Sequence, residues 1–371
     1  MANVIGICNL HNSPKLGKLT EQRPLGATSF LGRYGLIDFT LSNFSNSGID
    51  RIAILCEENV TAIRDHIRSG NIYINNTKTG YIRILTNEKM IGSLYNTDVN
   101  NMVANSLYIG QISPEYAVIA PAHFLMNIDY RDIINAHEES GAEITVLYTH
   151  RTDCDEEFLN CDVVELNKKG EIEKFSYNDG HTKERDISLD AYVINFELLK
   201  TMVNSGHKIS NLYGIKQLVA HYANHHRANV RGFEFKGYVV PILSLEHYVK
   251  YSFELLDYQN RLKLFSDDNP VYTSTHDTPP ALYGAEAEVK NSFIANGCII
   301  KGKVENSILS RNVRIHKGAK LKNCIVFAGS SIGRDADLSY VVINQKVKVK
   351  EVKELKGDKD HIIVIGEGEN I

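Results

Sequence analysis

Residues 313–338 read VRIHKGAKLKNCIVFAGSSIGRDADL, and their spacing decides the fold of the C-terminal part of the chain. Apolar residues return every six positions. Val313, Ala319 and Ile325 form one row, Ile315, Leu321 and Phe327 a second, and Ile332 and Leu338 a third. Upstream, Ile294 and Ile300 keep the same interval, and Asn291-Ser292-Phe293, Asn306-Ser307-Ile308 and Asn323-Cys324-Ile325 recur at similar distances. A six-residue period is the signature of a left-handed parallel β-helix. Each coil has three short strands, with an apolar residue pointing inward on each side of a triangular prism. Such a solenoid buries its core only by stacking coils, and its exposed edges commonly serve assembly. A β-sandwich would alternate with period two and turn every ~8–12 residues, which fits less well.

Working back along the chain, residues 266–280 (SDDNPVYTSTHDTPP) read as a polar, proline-rich linker, preceded by a helical pattern over residues 245–264. The first 240 or so residues alternate strand and helix signals. Strands are expected over residues 4–10, 51–56, 81–85, 116–120 and 143–148. Helices are expected over residues 36–46, 60–67, 102–108 and 130–139. Strands separated by helices imply βαβ units and a mostly parallel sheet. Ligands on such sheets bind beyond the carboxyl ends of the strands, which puts residues 10–23 and 120–127 at the rim of a site.

The chain has 371 residues, 43% of them hydrophobic and 23% charged, so a globular protein of two or three domains is expected rather than a disordered or fibrous one. The balance of 41 basic and 45 acidic residues, net -4, argues against bulk attraction to nucleic acid or anionic lipid. No apolar run reaches the ~18 residues of a membrane span. The N-terminal apolar stretch is too short for a secretory leader and reads as a buried strand. The six cysteines, Cys8, Cys56, Cys154, Cys161, Cys298 and Cys324, show no metal-type pair and are expected as reduced thiols in a cytoplasmic protein.

The stretch Gly32-Arg33-Tyr34-Gly35-Leu36-Ile37-Asp38-Phe39-Thr40-Leu41-Ser42-Asn43, with Asn46-Ser47-Gly48-Ile49, resembles the G-x-Y-R-x-I-D-F-x-L-S-N-x-x-N-S-G-I motif of ADP-glucose pyrophosphorylase, the bacterial glucose-1-phosphate adenylyltransferase. Gly237-Tyr238 and the hexapeptide segment extend the resemblance over the whole chain. It implies a sugar-nucleotidyltransferase (Rossmann-like) α/β domain over residues 1–245, a linker helix and loop over 246–280, and the left-handed β-helix over 281–371. The chemistry implied is adenylyl transfer: glucose 1-phosphate and ATP give ADP-glucose and pyrophosphate. That reaction needs backbone N–H groups around the triphosphate, cations on the leaving group and two carboxylates on Mg²⁺.

Several positions depart from the family pattern. The glycines of the phosphate loop are Leu10, His11 and Ser13, its Thr is Pro14 and its Arg is Lys15. Arg23 is kept, but the motif lysine is Leu25. Side chains here block backbone approach to phosphate, and Pro14 removes a donor. The two metal-binding aspartates are Ala122 and Pro241. The lysine of F-x-E-K-P is Asn178, in Phe175-Ser176-Tyr177-Asn178-Asp179, and the R-G-T-A-D-A stretch is Asn96-Thr97-Asp98-Val99-Asn100-Asn101. The resemblance therefore points to the D-type regulatory subunits of the glycogen operon. It implies no catalytic residue and no cofactor in this chain, Mg²⁺ in a catalytic partner subunit, and a hetero-oligomer, a tetramer, from which a lone subunit can self-associate.

Lys15 and Arg23 are candidates for an anion or nucleotide near a helix N-terminus. Arg33 stands where the family has a lysine that contacts phosphorylated effectors. His11 and His123, lacking an acid at position 122, read as polar loop residues, and His225-His226 have no ligand partner at metal spacing. Residues 346–356 (KVKVKEVKELK) read as a solvated final strand rather than a nucleic-acid site. The alternative is an active adenylyltransferase whose metal site is rebuilt around Asp98 or Asp129. An acyltransferase built on the β-helix has only His316 to offer.

Overall fold

A computed structural model describes residues 3–111, 113–350 and 353–371. Two compact units emerge. The first comprises Met1–Ser13, Phe39–Pro241 and Ser266–Tyr272; the second comprises Pro14–Asp38, Ile242–Phe265 and Thr273–Ile371.

The first unit is built on a nine-stranded sheet. Val4–Asn9 lies between Arg51–Leu55 and Tyr116–Pro121, and Tyr81–Leu85 follows on the outside, all parallel. Arg185–Asn195 continues the sheet antiparallel to Tyr116–Pro121 and pairs with both Ile144–Arg151 and Asp162–Leu166. Val230–Glu234 runs parallel to Ile144–Arg151. The apolar runs read from the sequence are the buried centre: Ile5, Ile7, Leu55 and Ile119 pack with Met102, Leu199, Met202 and Leu218 from the helices. The helix signal at residues 102–108 resolves into two short helices, Asp98–Ala104 and Ser106–Ile109. No helix of the described residues is long and apolar enough to cross a membrane.

The second unit contains three parallel five-stranded sheets, stacked as the left-handed β-helix that the period predicts. The coil is not a strict three times six. Arg314 pairs with Ser331 and Ser331 with Lys348, so these coils take 17 residues, and the shortened step of the first falls between Leu321 and Val326; the coil from Ile299 to Arg314 takes 15. Val326 therefore points inward, while Ile325 and Phe327, expected on the six-residue rows, stand outside the solenoid's core cluster and are buried on its outer face. There Phe327 meets Tyr248 at 6.4 Å between ring centroids, and Phe30 meets Tyr248 at 6.1 Å. The recurring asparagines mark a corner. Asn291, Asn306 and Asn323 all have positive φ, a region asparagine tolerates, and their amides stack from coil to coil.

The helical stretch at residues 245–264 is two helices, Leu245–Glu254 and Tyr258–Leu264, because Asp257 caps the second through the N–H groups of Gln259 and Asn260. Residues 266–280 carry no helix or strand, yet they are tied down. Asn46 donates to the Pro270 carbonyl at 3.0 Å, and Ser42 Oγ accepts from Tyr272 N at 2.8 Å. The basic stretch at 346–356 is not a final strand. Lys348–Val349 and Glu354–Lys356 lie in different sheets, Ile363–Ile365 follows them, and Glu351 and Val352 lie outside the described residues.

Gly32 shows how closely the segment Pro14–Asp38 lies on the β-helix. Its φ is +74°, and a Cβ there would stand 2.9 Å from the Leu309 carbonyl oxygen. Gly32→Ala is expected to destabilise the protein by roughly 1–3 kcal/mol, from left-handed strain and the clash. Urea unfolding with an unchanged midpoint would refute this.

Candidate functional site

The signature helix Ile37–Asn46 is scaffolding for the loop that carries position 122. Thr40 Oγ1 donates to the Pro121 carbonyl at 2.6 Å, and Asn43 donates to the Met126 carbonyl at 3.0 Å while accepting from Ile128 N. Ser47 Oγ accepts from Tyr130 N at 2.8 Å. The motif that carries the resemblance is thus a set of braces on residues 121–130, and the braces are intact. Between them, Ala122 is fully buried. Val240–Pro241 pairs antiparallel with Phe124–Leu125, with Pro241 opposite Phe124, so the structure brings positions 122 and 241 to one place. Neither side chain carries an oxygen.

The carboxylates that could replace them are engaged. Asp98 is buried and accepts from Asn9 Nδ2 at 2.5 Å, Asn12 Nδ2 at 3.4 Å, Val99 N at 2.7 Å and Ile215 N at 3.0 Å. Ile215 opens the helix Ile215–Asn224, so the Asp98 charge fills the electropositive end of that helix. Asp129 caps the helix Tyr130–Ser140 and is clasped by Arg131 Nε at 2.9 and 2.8 Å; burial opposes its ionisation, but Arg131 outweighs it and holds the carboxyl below its ordinary value. Among the described residues no group of three or more His, Cys, Asp or Glu side chains is placed to hold a metal ion. This donor set does not fit a divalent ion gripped by two carboxylates.

Of the phosphate-loop positions, His11 is likewise tied inward. His11 Nε2 accepts from Asn101 Nδ2 at 2.9 Å, so Nδ1 carries the proton and donates to the Asn96 carbonyl at 3.1 Å. That neutral tautomer agrees with burial, which pulls the His11 pKa down against the pull of Asp98. Asn178 is no phosphate ligand. Its amide donates to the carbonyls of Cys154, Glu157 and Phe158 and organises that loop.

Beside the site lies a buried charge network that sequence reasoning missed. Lys216 Nζ stands 3.2 Å from Asp190 and 3.5 Å from Asp162, and His123 Nε2 is 3.5 Å from Asp190. His123 lies in the loop, as expected, but is buried there and partners a carboxylate. Burial pushes Asp162 up from 3.8 to about 6, with Lys216 opposing and Asp190 adding. Burial also opposes the charge of Asp190, but Lys216 and His123 outweigh it and hold its carboxyl below the ordinary value. Lys216 is raised, since the two carboxylates outweigh its burial. Tyr192 is pushed well up by burial and then by Asp190, Asp162 and Asp98. A signal existed: Asp190 is an acid inside the long strand Arg185–Asn195, at a left-handed φ of 52° where the register shifts.

The cationic candidates lie in the second unit. Lys15 is exposed. Arg23 is buried and ion-paired with Glu367, so its charge is met from within the β-helix. Arg33 is exposed at the turn between Ser29–Phe30 and Tyr34–Gly35, with its guanidinium 5.7 Å from the Tyr34 ring centroid. The described structure gives all six cysteines as free and buried.

Comparison with known proteins agrees with this architecture. The nucleotidyl transferase family profile matches residues 13–208, and a GlmU-like C-terminal hexapeptide profile matches residues 280–361. The chain is 30% identical over 354 residues to the glycogen biosynthesis protein GlgD of Bacillus subtilis (strain 168), covering 95% of this chain and 92% of that protein. It is 32% identical over 311 residues to the GlgD protein of Geobacillus stearothermophilus, with 82% and 78% covered. It is 27% identical over 323 residues to a glucose-1-phosphate adenylyltransferase of Clostridium perfringens (strain SM101 / Type A), with 86% and 82% covered.

The charge network makes a pH prediction. The folded chain holds the Asp162 proton more tightly than the unfolded chain, so Asp162 contributes stability that is full below pH 3.8 and lost as pH rises through about 6. Asp190, with its carboxyl lowered, contributes in the opposite sense: its stability is present above 3.8 and lost on acidification. Carboxyl NMR titration is expected to give an apparent Asp162 pKa near 6, falling toward the ordinary value in Asp190→Asn. An ordinary value in the unsubstituted protein would contradict the network.

Proposed function

The chain belongs to the nucleotidyl transferase family, and we propose that it acts in glycogen biosynthesis as a regulatory subunit, catalytically weak or inactive alone, that modulates a catalytic glucose-1-phosphate adenylyltransferase. One observation carries the reading. The braces around the metal loop are kept, while Ala122 and Pro241 stand where the family resemblance asks for carboxylates. The rival reading, an active enzyme with a rebuilt metal site, needs Asp98 or Asp129. Freeing Asp98 would strip a buried carboxylate's partners from a loop and a helix end, and freeing Asp129 would uncap a helix. Loss of one preorganised charge-stabilising group costs ~10²–10³ in rate, and losses within one site do not simply multiply. The Mg²⁺ chemistry belongs in this reading to the partner subunit, and the working assembly is a hetero-oligomer, a tetramer, in the cytoplasm.

The pure chain, assayed for pyrophosphate release from ATP and glucose 1-phosphate with Mg²⁺, is expected to turn over at least ~10³-fold more slowly than the catalytic chain. Adding it to the catalytic chain is expected to change the rate or the effector response. Turnover by the pure chain at the catalytic chain's level would defeat the proposal.

Arg33 is proposed to contact an anionic effector of the mixed enzyme. Arg33→Ala is expected to weaken that response by ~5-fold or more, the lower range of allosteric coupling. An unchanged half-saturation constant would remove this role.

A further inference from the structure

One face of the β-helix carries a groove of about 660 Å³ that the nucleotidyl transferase reading does not use. Its walls follow from the register. Arg314 pairs with Ser331 and Ser331 with Lys348, so the outward row reads cation, small residue, cation on successive coils. Two residues further along, His316, Gly333 and Lys350 line the groove on the same three coils. The middle coil thus supplies a floor of Ser331 and Gly333 between two basic walls, and Arg334 and Lys353 also line it. Neighbouring strands lie ~4.8 Å apart, so the walls stand about 10 Å from each other. At Gly333 the floor has no room for a side chain. A Cβ on Gly333 would sit 2.6 Å from the Val349 carbonyl oxygen.

The charge pattern sets this face apart from its neighbour. On the adjacent sheet three lysines meet an acid one coil away: Lys303 with Glu288 at 2.7 Å, Lys322 with Glu305 at 3.3 Å and Lys356 with Asp337 at 3.3 Å. Among the described residues, which leave out Glu351, no Asp or Glu lines the groove. The nearby Glu369 turns to Lys18, at 3.0 Å, and accepts from Gly366 N. Like charges on neighbouring coils repel, and in a chain of net charge -4 they gather here.

We propose that this groove binds a small molecule carrying two or more phosphoryl groups. The volume suits a small ligand, the walls offer cations on both sides of a bare floor, and phosphoryl oxygens are the acceptors that Arg and Lys serve best. A nucleic acid fits less well: the groove spans three coils and, among the described residues, presents one imidazole and no Phe, Tyr or Trp for base stacking. This inference concerns the isolated chain and stands whether or not the regulatory reading does.

The test is calorimetric titration of the full chain with inorganic tripolyphosphate, with orthophosphate for comparison. One saturable site is expected, weakened by added salt and at least about tenfold weaker for orthophosphate. The double variant Arg314→Ala/Lys348→Ala is expected to bind about tenfold or more weakly. Ser331→Glu, which puts a carboxylate on the floor and leaves both walls in place, is expected to abolish binding and guards against misfolding of the double variant. No saturable binding at millimolar tripolyphosphate would overturn the proposal, as would binding unchanged in both variants. So would a single-stranded oligonucleotide that displaces tripolyphosphate and binds more tightly.

Discussion

A carboxylate removed from water must be met by donors, and Asp98 collects them from a loop, its own helix and the start of another helix. This one group organises the carboxyl edge of the sheet. Through Asn9 and Asn12 it holds the loop that replaces a glycine-rich phosphate cradle. Through Ile215 N it fills a helix N-terminus, a position that favours negative charge. An internal anion thus sits where an external one would be welcome. The same logic governs Lys216, whose charge is matched by Asp162 and Asp190. Both charges are thus met from within the chain.

The intact braces around position 122 explain how a family signature can be kept independently of the residue at position 122. Thr40, Asn43 and Ser47 hold backbone groups of the 121–130 loop, and their removal would leave buried polar groups unpaired. Stability alone therefore keeps them useful. A metal ligand is different, since an aspartate without its ion is a buried charge in need of a partner. Ala122, buried and apolar, removes that cost.

In the second unit, the 17-residue coil has a comparable consequence. Shortening one side of the prism turns Ile325 and Phe327 away from the solenoid core and gives the outer face an apolar surface to cover. The helix Leu245–Glu254 and the segment Pro14–Asp38 meet that need, with Tyr248 between Phe30 and Phe327. The ion pair of Arg23 with Glu367 and the bond from Asn344 to the Lys18 carbonyl fasten the segment further. The charge of Arg23 is met by this contact.

The sheet strands, the signature helix, the β-helix and the loss of acids at Ala122 and Pro241 were all legible without a structure. Their causes are local: alternation, a six-residue period, left-handed corners at asparagine, and the identity of single residues. Two errors were also local in origin, since a five-residue step hides inside a nearly hexameric rhythm and a capping Asp257 splits one helical pattern into two. What only tertiary structure decided was the availability of the remaining charged groups. Asp98 meets a donor 117 residues away and Arg23 an acid 344 residues away, and neither spacing leaves a mark in the sequence. Whether a buried charge is free to hold a ligand depends on which groups close around it in space, because in a low dielectric only the nearest partners count.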